Sequence, residues 1–322
     1  MQQFSIPACY FPSTALFIDD SHDFWLNFVL HLDESLAYRI FDSPFHALDC
    51  IDKKYRESMD LINATEVRTI HAEIYNPARF SEMSVIIVNQ DMRALSGLAF
   101  CHRIKNPDIK RILLINQSDE SLAAEALGEG LIHCYLFKED PDVAKSLGTK
   151  IYELQFQYFQ AISDKITHRI SMRSLSCLRD KKFAAFFHQL CQQKGITEYY
   201  LADHSGSFLL LNDDARVSFF LVKNEKDMRL HYNLAVENKA SEEILTQLSN
   251  GEKIPCFGQP NLLLDEWNAW STCLVPAQRF VADQTYFHAY VHGALLLDIR
   301  QEQILSYHHY LDAIDVEELF LV

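Results

Sequence analysis

The sequence predicts an α/β protein: a doubly wound five-stranded parallel sheet, then a long helix, then an α+β domain with an antiparallel sheet. Three observations carry this. Short apolar runs alternate with helix-spaced segments over residues 1–140, one helical stripe dominates residues 141–173, and hairpin-spaced strands fill residues 174–322. A 322-residue chain suits about two domains.

The first half builds strand by strand. Ala15-Leu-Phe-Ile-Asp19 is an apolar run ending at the acids Asp19 and Asp20, and Ser21 to Leu32 follows with Phe24, Phe28 and Leu32 on one helical face. Leu36 to Phe41 reads as a second strand, stopped by Asp42-Ser43-Pro44, and Phe45 to Met59 as a helix. Residues 60–82 carry mixed signals. Val85-Ile-Ile-Val88 is a continuous apolar run, as a central parallel strand buried on both faces requires. A helix over Leu95 to Arg103, a strand at Arg111 to Ile115, a helix at Asp119 to Gly128 and a strand at His133 to Phe137 complete the alternation. Ligands of such a sheet belong at the carboxyl ends of its strands.

Val143, Leu147, Ile151, Leu154, Tyr158, Ile162, Ile166 and Ile170 are spaced 4, 4, 3, 4, 4, 4 and 4 residues apart. A helix of about 30 residues spans about 45 Å, longer than a small domain is wide. Its first half is expected to pack on the preceding sheet. The far half needs the second domain or a second copy of the chain, and Ile151, Leu154, Tyr158 and Ile162 are the residues expected at a homodimer face. Beyond Ser174 come a helix (Asp180 to Lys194), a hairpin (Glu198 to Asp203, a turn at His204 to Ser207, Phe208 to Leu211) and a third strand at Ser218 to Lys223. Helices at Glu225 to Asn238 and Ser241 to Ser249, and strand-like runs at Ser271 to Val275 and Thr285 to His292, follow.

With 29 Lys plus Arg against 44 Asp plus Glu, the formal charge is −15, which argues against a nucleic-acid footprint. No apolar run reaches the roughly 18–20 residues that cross a bilayer, and no basic flank with an apolar stretch opens the chain. A cytoplasmic protein without a membrane partner is expected. The eight cysteines include no CxxC spacing and read as reduced thiols. Nucleotide-binding, hydrolase and zinc-protease signatures are absent.

The residues at the strand ends point to chemistry. Asp19 and Asp20 follow the first strand, Asn89 the third, Asn116 the fourth, and Tyr135-Leu-Phe-Lys138 spans the fifth. Over residues 13–140 this resembles the receiver domain of two-component response regulators, a flavodoxin-like fold. The resemblance implies an acidic pair that binds Mg²⁺, a phosphoacceptor Asp after the third strand, a Ser or Thr after the fourth, an aromatic switch residue and a Lys in the fifth. In Asn89-Gln-Asp-Met-Arg-Ala-Leu-Ser-Gly97, the family's Met three residues after the acceptor and Gly eight after it put Asn89, not Asp91, in the acceptor position.

An Asn has no ionised oxygen to attack phosphorus, and it leaves the pocket one negative charge short. Asn116 replaces the family's hydroxyl, and Glu139 replaces its cis proline, so the Lys138-Glu139 peptide is expected to be trans. Lys138 is expected to pair with Glu139 or Asp20, and Tyr135 to hold one rotamer. Three readings of Asp19-Asp20 stand: a helix cap, a retained Mg²⁺ site, or a relic pocket partly neutralised by Lys138.

Lesser candidates are His308-His309 between Tyr307 and Tyr310, His188 with Cys191, and Trp267 with Trp270 near Phe257, all expected in surface or packing roles. The expected function is phosphorylation-independent signalling through a protein partner, without catalysis. Two alternatives stand beside it: a second domain that senses a small molecule or is catalytic, with a site near Trp267 and Trp270, and phosphorylation on another acid such as Asp91.

Overall fold

A computed structural model of the chain describes residues 5–21, 28, 31–63, 70–169, 176–256, 273–293 and 299–317. Trp267, Trp270 and Phe257 lie outside them, as does most of the helix expected at Ser21 to Leu32, of which Phe28 is helical and buried. No described helix is long and apolar enough to cross a membrane.

Two compact units divide the chain: Pro12–Ile162 with Tyr307–Val322, and Met1–Phe11 with Ser163–Ser306. The boundaries read at 140 and 173 follow changes of element. The units follow packing, so each draws a piece from a chain terminus.

In the first unit, β2 (Thr14–Ile18), β3 (Tyr38–Phe41), β4 (Met83–Asn89), β5 (Lys110–Ile115) and β6 (Cys134–Phe137) form an all-parallel sheet in the order β3-β2-β4-β5-β6. The strand β1 that precedes them (Cys9–Tyr10) belongs to the other unit. Alternation along each strand splits the apolar residues between two faces. Ala15, Phe17, Val85, Ile87, Ile112 and Leu114 pack in one cluster with Val143, Leu147, Ile151 and Leu154 of the long helix. Leu16, Ile18, Ile86, Val88, Leu113 and Ile115 are equally buried on the opposite face. Burial on both faces is what the unbroken Val85–Val88 run announced.

Helices cover this sheet: α1 (Pro44–Asn63), α2 (Ile70–Ile74), α3 (Gly97–Arg103), α4 (Glu120–Gly128) and α5 (Val143–Arg169). Ser96 caps α3, its hydroxyl accepting the Ala99 N–H, and so stops the helix short of the expected Leu95 start.

The face expected to dimerise needs correction. Ile151 (0% exposed), Leu154 (4%) and Tyr158 (2%) are buried by the chain's own side chains, and only Ile162 is half-buried. Val143, Leu147, Ile151 and Leu154 of the stripe fill the sheet's core cluster, and the Tyr158 hydroxyl donates to Glu82. Tyr158→Asp is therefore expected to lower the unfolding free energy by about 3 kcal/mol, for a buried unpaired charge, and the denaturation midpoint with it, with no change in the mass of the folded species. A halved mass by light scattering at an unchanged midpoint would restore the dimer face.

The second unit packs α6 (Lys181–Lys194) on a six-stranded antiparallel sheet ordered β1-β7-β8-β9-β13-β12. These strands are β1, β7 (Ile196–Leu201), β8 (Phe208–Asn212), β9 (Val217–Asn224), β12 (Gln278–Val281) and β13 (Thr285–His292). Phe183, Phe187 and Cys191 of α6 meet Tyr199, Phe208, Leu210, Phe220 and Tyr286. The hairpin turn is anchored by Asp203, whose carboxylate accepts the Ser205 and Ser207 N–H groups and the Lys223 ammonium at 2.9–3.0 Å. Gly206 in that turn has φ +100°, and a Cβ there would sit 2.3 Å from the Cys177 sulfur, so the position requires glycine.

Helices α7 (Glu225–Glu237) and α8 (Glu242–Ser249) and the ribbon β10 (Lys253–Pro255) with β11 (Leu274–Pro276) complete this unit. Helix α9 (Tyr307–Glu317) returns to the first unit, where Tyr307 and Tyr310 flank Phe80 at 5.2 and 5.3 Å between ring centroids.

Candidate functional site

The carboxyl ends of β2, β4, β5 and β6 bring the sequence-predicted residues together. Asn89 is the last residue of β4, paired with Leu114 of β5, and is 6% exposed. The loop after it turns back sharply: Gly97 N–H donates to Gln90 O at 3.1 Å and Leu98 N–H to the Gln90 side chain at 3.1 Å. A Cβ on Gly97 would lie 2.7 Å from the Asn89 carbonyl oxygen and from a Leu113 methyl. Glycine at that spacing is thus a steric requirement, and Met92 is buried three residues after Asn89. The register read from the motif agrees with this geometry.

Asn89 knits the pocket. Its Nδ2 donates to Asp19 Oδ2 at 2.8 Å, and its Oδ1 accepts the Asp91 N–H at 3.0 Å. Asp19 is 1% exposed and also accepts the Ser21 N–H at 3.0 Å on Oδ1. Burial pushes the Asp19 carboxyl above its ordinary value; the hydrogen bonds from Asn89 and Ser21 and the charge of Lys138 oppose that, while Asp20 adds to it. Asp20 turns its carboxylate to the Arg93 N–H.

The expected partner of Lys138 is corrected. Lys138 Nζ donates to Asp91 Oδ2 at 3.0 Å, and Asn116 Nδ2 donates to the same oxygen at 2.6 Å. Glu139 is exposed and Asp20 is committed to a backbone donor, so neither takes the ammonium. The Lys138-Glu139 peptide is trans, as expected. Tyr135 stands half-buried, edge-on to Phe137 at 5.9 Å.

Asp91 therefore matters as an occupant. Its carboxylate sits between the two groups that the strand ends present from β5 and β6. The contribution of Arg93 had no signal beyond its place in the loop, because a backbone N–H is common to every residue but proline.

With Asn89 in place of a carboxylate, the pocket offers a Mg²⁺ ion one charged oxygen ligand fewer. A hard cation takes carboxylate, carbonyl and water oxygens, but an amide N–H aims at Asp19 Oδ2 and a second N–H at Oδ1. Among the described residues no group of three or more His, Cys, Asp or Glu side chains is arranged to hold a metal.

Of the lesser candidates, the histidines and Cys191 lie among the described residues. His308 and His309 are exposed beside buried Tyr307 and Tyr310, Cys191 is buried, and His188 Nε2 lies 3.0 Å from the Ser5 carbonyl.

No family model matches the chain, and no curated protein matches it. Among solved structures it is similar to the Legionella pneumophila response regulator LqsR, at 58% identity over 100% of both chains and a TM-score of 0.89. A response regulator receiver domain protein from Clostridium thermocellum matches 44% of this chain and 94% of its own at 20% identity, TM-score 0.33. An adenylate cyclase from Rhodopirellula baltica matches 49% of this chain and 98% of its own at 19% identity, TM-score 0.37. At these scores neither of the last two bears on the reading. The full-length identity does, and it agrees with the parallel sheet and its strand-end residues: this chain belongs to the response regulators and carries a receiver domain.

Proposed function

We propose that this response regulator signals without forming an aspartyl phosphate, through contacts with a protein partner in the cytoplasm and without catalysis of its own. The observation that carries the reading is the Asn89 side chain. It is an amide at the end of the central strand, with Nδ2 spent on Asp19 and Oδ1 on the Asp91 N–H. An amide oxygen is not the ionised nucleophile that phosphoryl transfer to carboxylate needs.

The ammonium of Lys138 and the amide of Asn116 already hold the Asp91 carboxylate, so the pocket's cation is spent on its own groups. Such a pocket keeps one state, and control passes to synthesis of the protein and to its partners. Self-association belongs to the proposal through surfaces other than the buried stripe of α5.

Intact mass after incubation with acetyl phosphate and Mg²⁺ tests this. Wild type is expected to stay unmodified, and Asn89→Asp to gain one phosphoryl group. A labile phosphoryl mass on wild type would overturn the proposal and direct attention to Asp91, Asp19 or Asp20.

A further inference from the structure

The ribbon β10–β11 sets Lys253 opposite Pro276, Ile254 opposite Val275 and Pro255 opposite Leu274. Carried one step further, the register puts Cys256 opposite Cys273, and the Cys256 N–H donates to the Cys273 carbonyl at 2.7 Å. Residues facing each other in a hydrogen-bonded antiparallel pair have Cα atoms about 5.5 Å apart. A disulfide spans Cα separations of about 4.4–6.8 Å. Among the described strand pairings no other sets two cysteines opposite one another.

Accessibility separates the pair from the three buried thiols, and the facing register separates it from Cys9, Cys50 and Cys134, which are half-buried as well. Cys256 and Cys273 are half-buried, whereas Cys101, Cys177 and Cys191 are buried. Burial pushes each of those three thiols up to about 12. Cys256 is pushed up to about 11, by burial first and then by the neighbouring Cys273, with Lys223 opposing. The Cys273 contribution agrees with sulfurs that face each other, and the raised value makes exchange slow at neutral pH.

We infer that Cys256 and Cys273 form a redox-modification site, a dithiol that a low-molecular-weight disulfide converts to an intramolecular disulfide across the β10–β11 ribbon. The thiolate of one cysteine attacks the oxidant, forming a mixed disulfide and releasing one thiol. The second cysteine's thiolate then attacks the protein sulfur of that mixed disulfide and releases the second thiol. The protein loses two hydrogens and two electrons, and the oxidant gains both. This inference stands apart from the receiver pocket and survives any outcome there.

The test incubates the full-length native protein with excess oxidised glutathione, alkylates the remaining thiols, and reads intact mass and peptide map. A loss of about 2 Da, two fewer alkylated thiols and a linked peptide joining residues 256 and 273 are expected. Cys273→Ser is expected to stop at a glutathione adduct on Cys256, and Cys50→Ser to oxidise as wild type does. A persistent glutathione adduct on Cys256 or Cys273 of wild type, a link from either to another cysteine, or both left as free thiols would overturn the inference. The wild-type map decides the matter even where a variant folds poorly.

Discussion

Asn89→Asp is expected to make the stability of the receiver unit depend on pH and on Mg²⁺ far more than in wild type. In wild type the folded-state value of Asp19 is raised from the ordinary 3.8. The folded chain therefore holds a proton that the unfolded chain releases, and stability falls as pH rises through that window. The substitution removes the amide donor, which lies 2.8 Å from Asp19 Oδ2, and puts a carboxylate in its place. Two carboxylates this close titrate as a pair whose upper step moves up, so the window widens toward neutral pH.

At neutral pH the variant is expected to be about 1–3 kcal/mol less stable than wild type, and the gap is expected to narrow on acidification. A divalent cation that binds only the folded variant restores about 2.7 kcal/mol at a hundredfold excess over its Kd. Urea melts at acid and neutral pH, with and without Mg²⁺, read this directly. Equal midpoints under all conditions would show that the Asn89–Asp19 contact does not close the pocket.

A chain ending at Ser306 is expected to lose most of the stability of the receiver unit, although none of the described residues it removes lies in the parallel sheet. Tyr307 (6% exposed) and Tyr310 (8%) pack against Phe80, which is fully buried. The Tyr307 hydroxyl donates to the Ser35 carbonyl at 2.6 Å and accepts the Ala37 N–H at 3.1 Å. The Tyr310 and Thr14 hydroxyls are 2.9 Å apart. Each buried aromatic contributes about 1.5–3 kcal/mol, and an orphaned buried N–H costs about 1–3 kcal/mol more.

The sum is about 4–9 kcal/mol, comparable to the whole stability of an ordinary domain. Thermal unfolding of the truncated chain is expected to show an early transition with loss of helical signal. Tyr310→Phe, which keeps the ring and removes one hydroxyl, is expected to cost only about 1 kcal/mol. A truncated chain that melts like the full one would show the helix to be dispensable.

Much of the site was legible from local spacing. The apolar run Val85–Val88 located β4 and its end, because a strand buried on both faces stays apolar until it leaves the sheet. The place of Asn89 in the acceptor position came from the resemblance to receiver domains, through the spacing of Met92 and Gly97; the structure adds that a Cβ on Gly97 would lie 2.7 Å from the Asn89 carbonyl oxygen. The second unit's hairpin was equally legible, since its turn residues and flanking apolar runs are adjacent in sequence.

What the sequence determined by itself was therefore the order of elements, the register of β4, and which residue types stand at the strand ends. Tertiary structure alone decided that Lys138 and Asn116 converge on Asp91, that the stripe of α5 from Val143 to Tyr158 is spent inside the chain, and that β1 and α9 each join the unit remote from their neighbours in sequence. Periodicity and steric limits act over a few residues and can be read locally. The partner of an ammonium group, or of an apolar face, depends on which of several distant candidates the fold brings within about 3–4 Å, and that choice is made only when the chain packs.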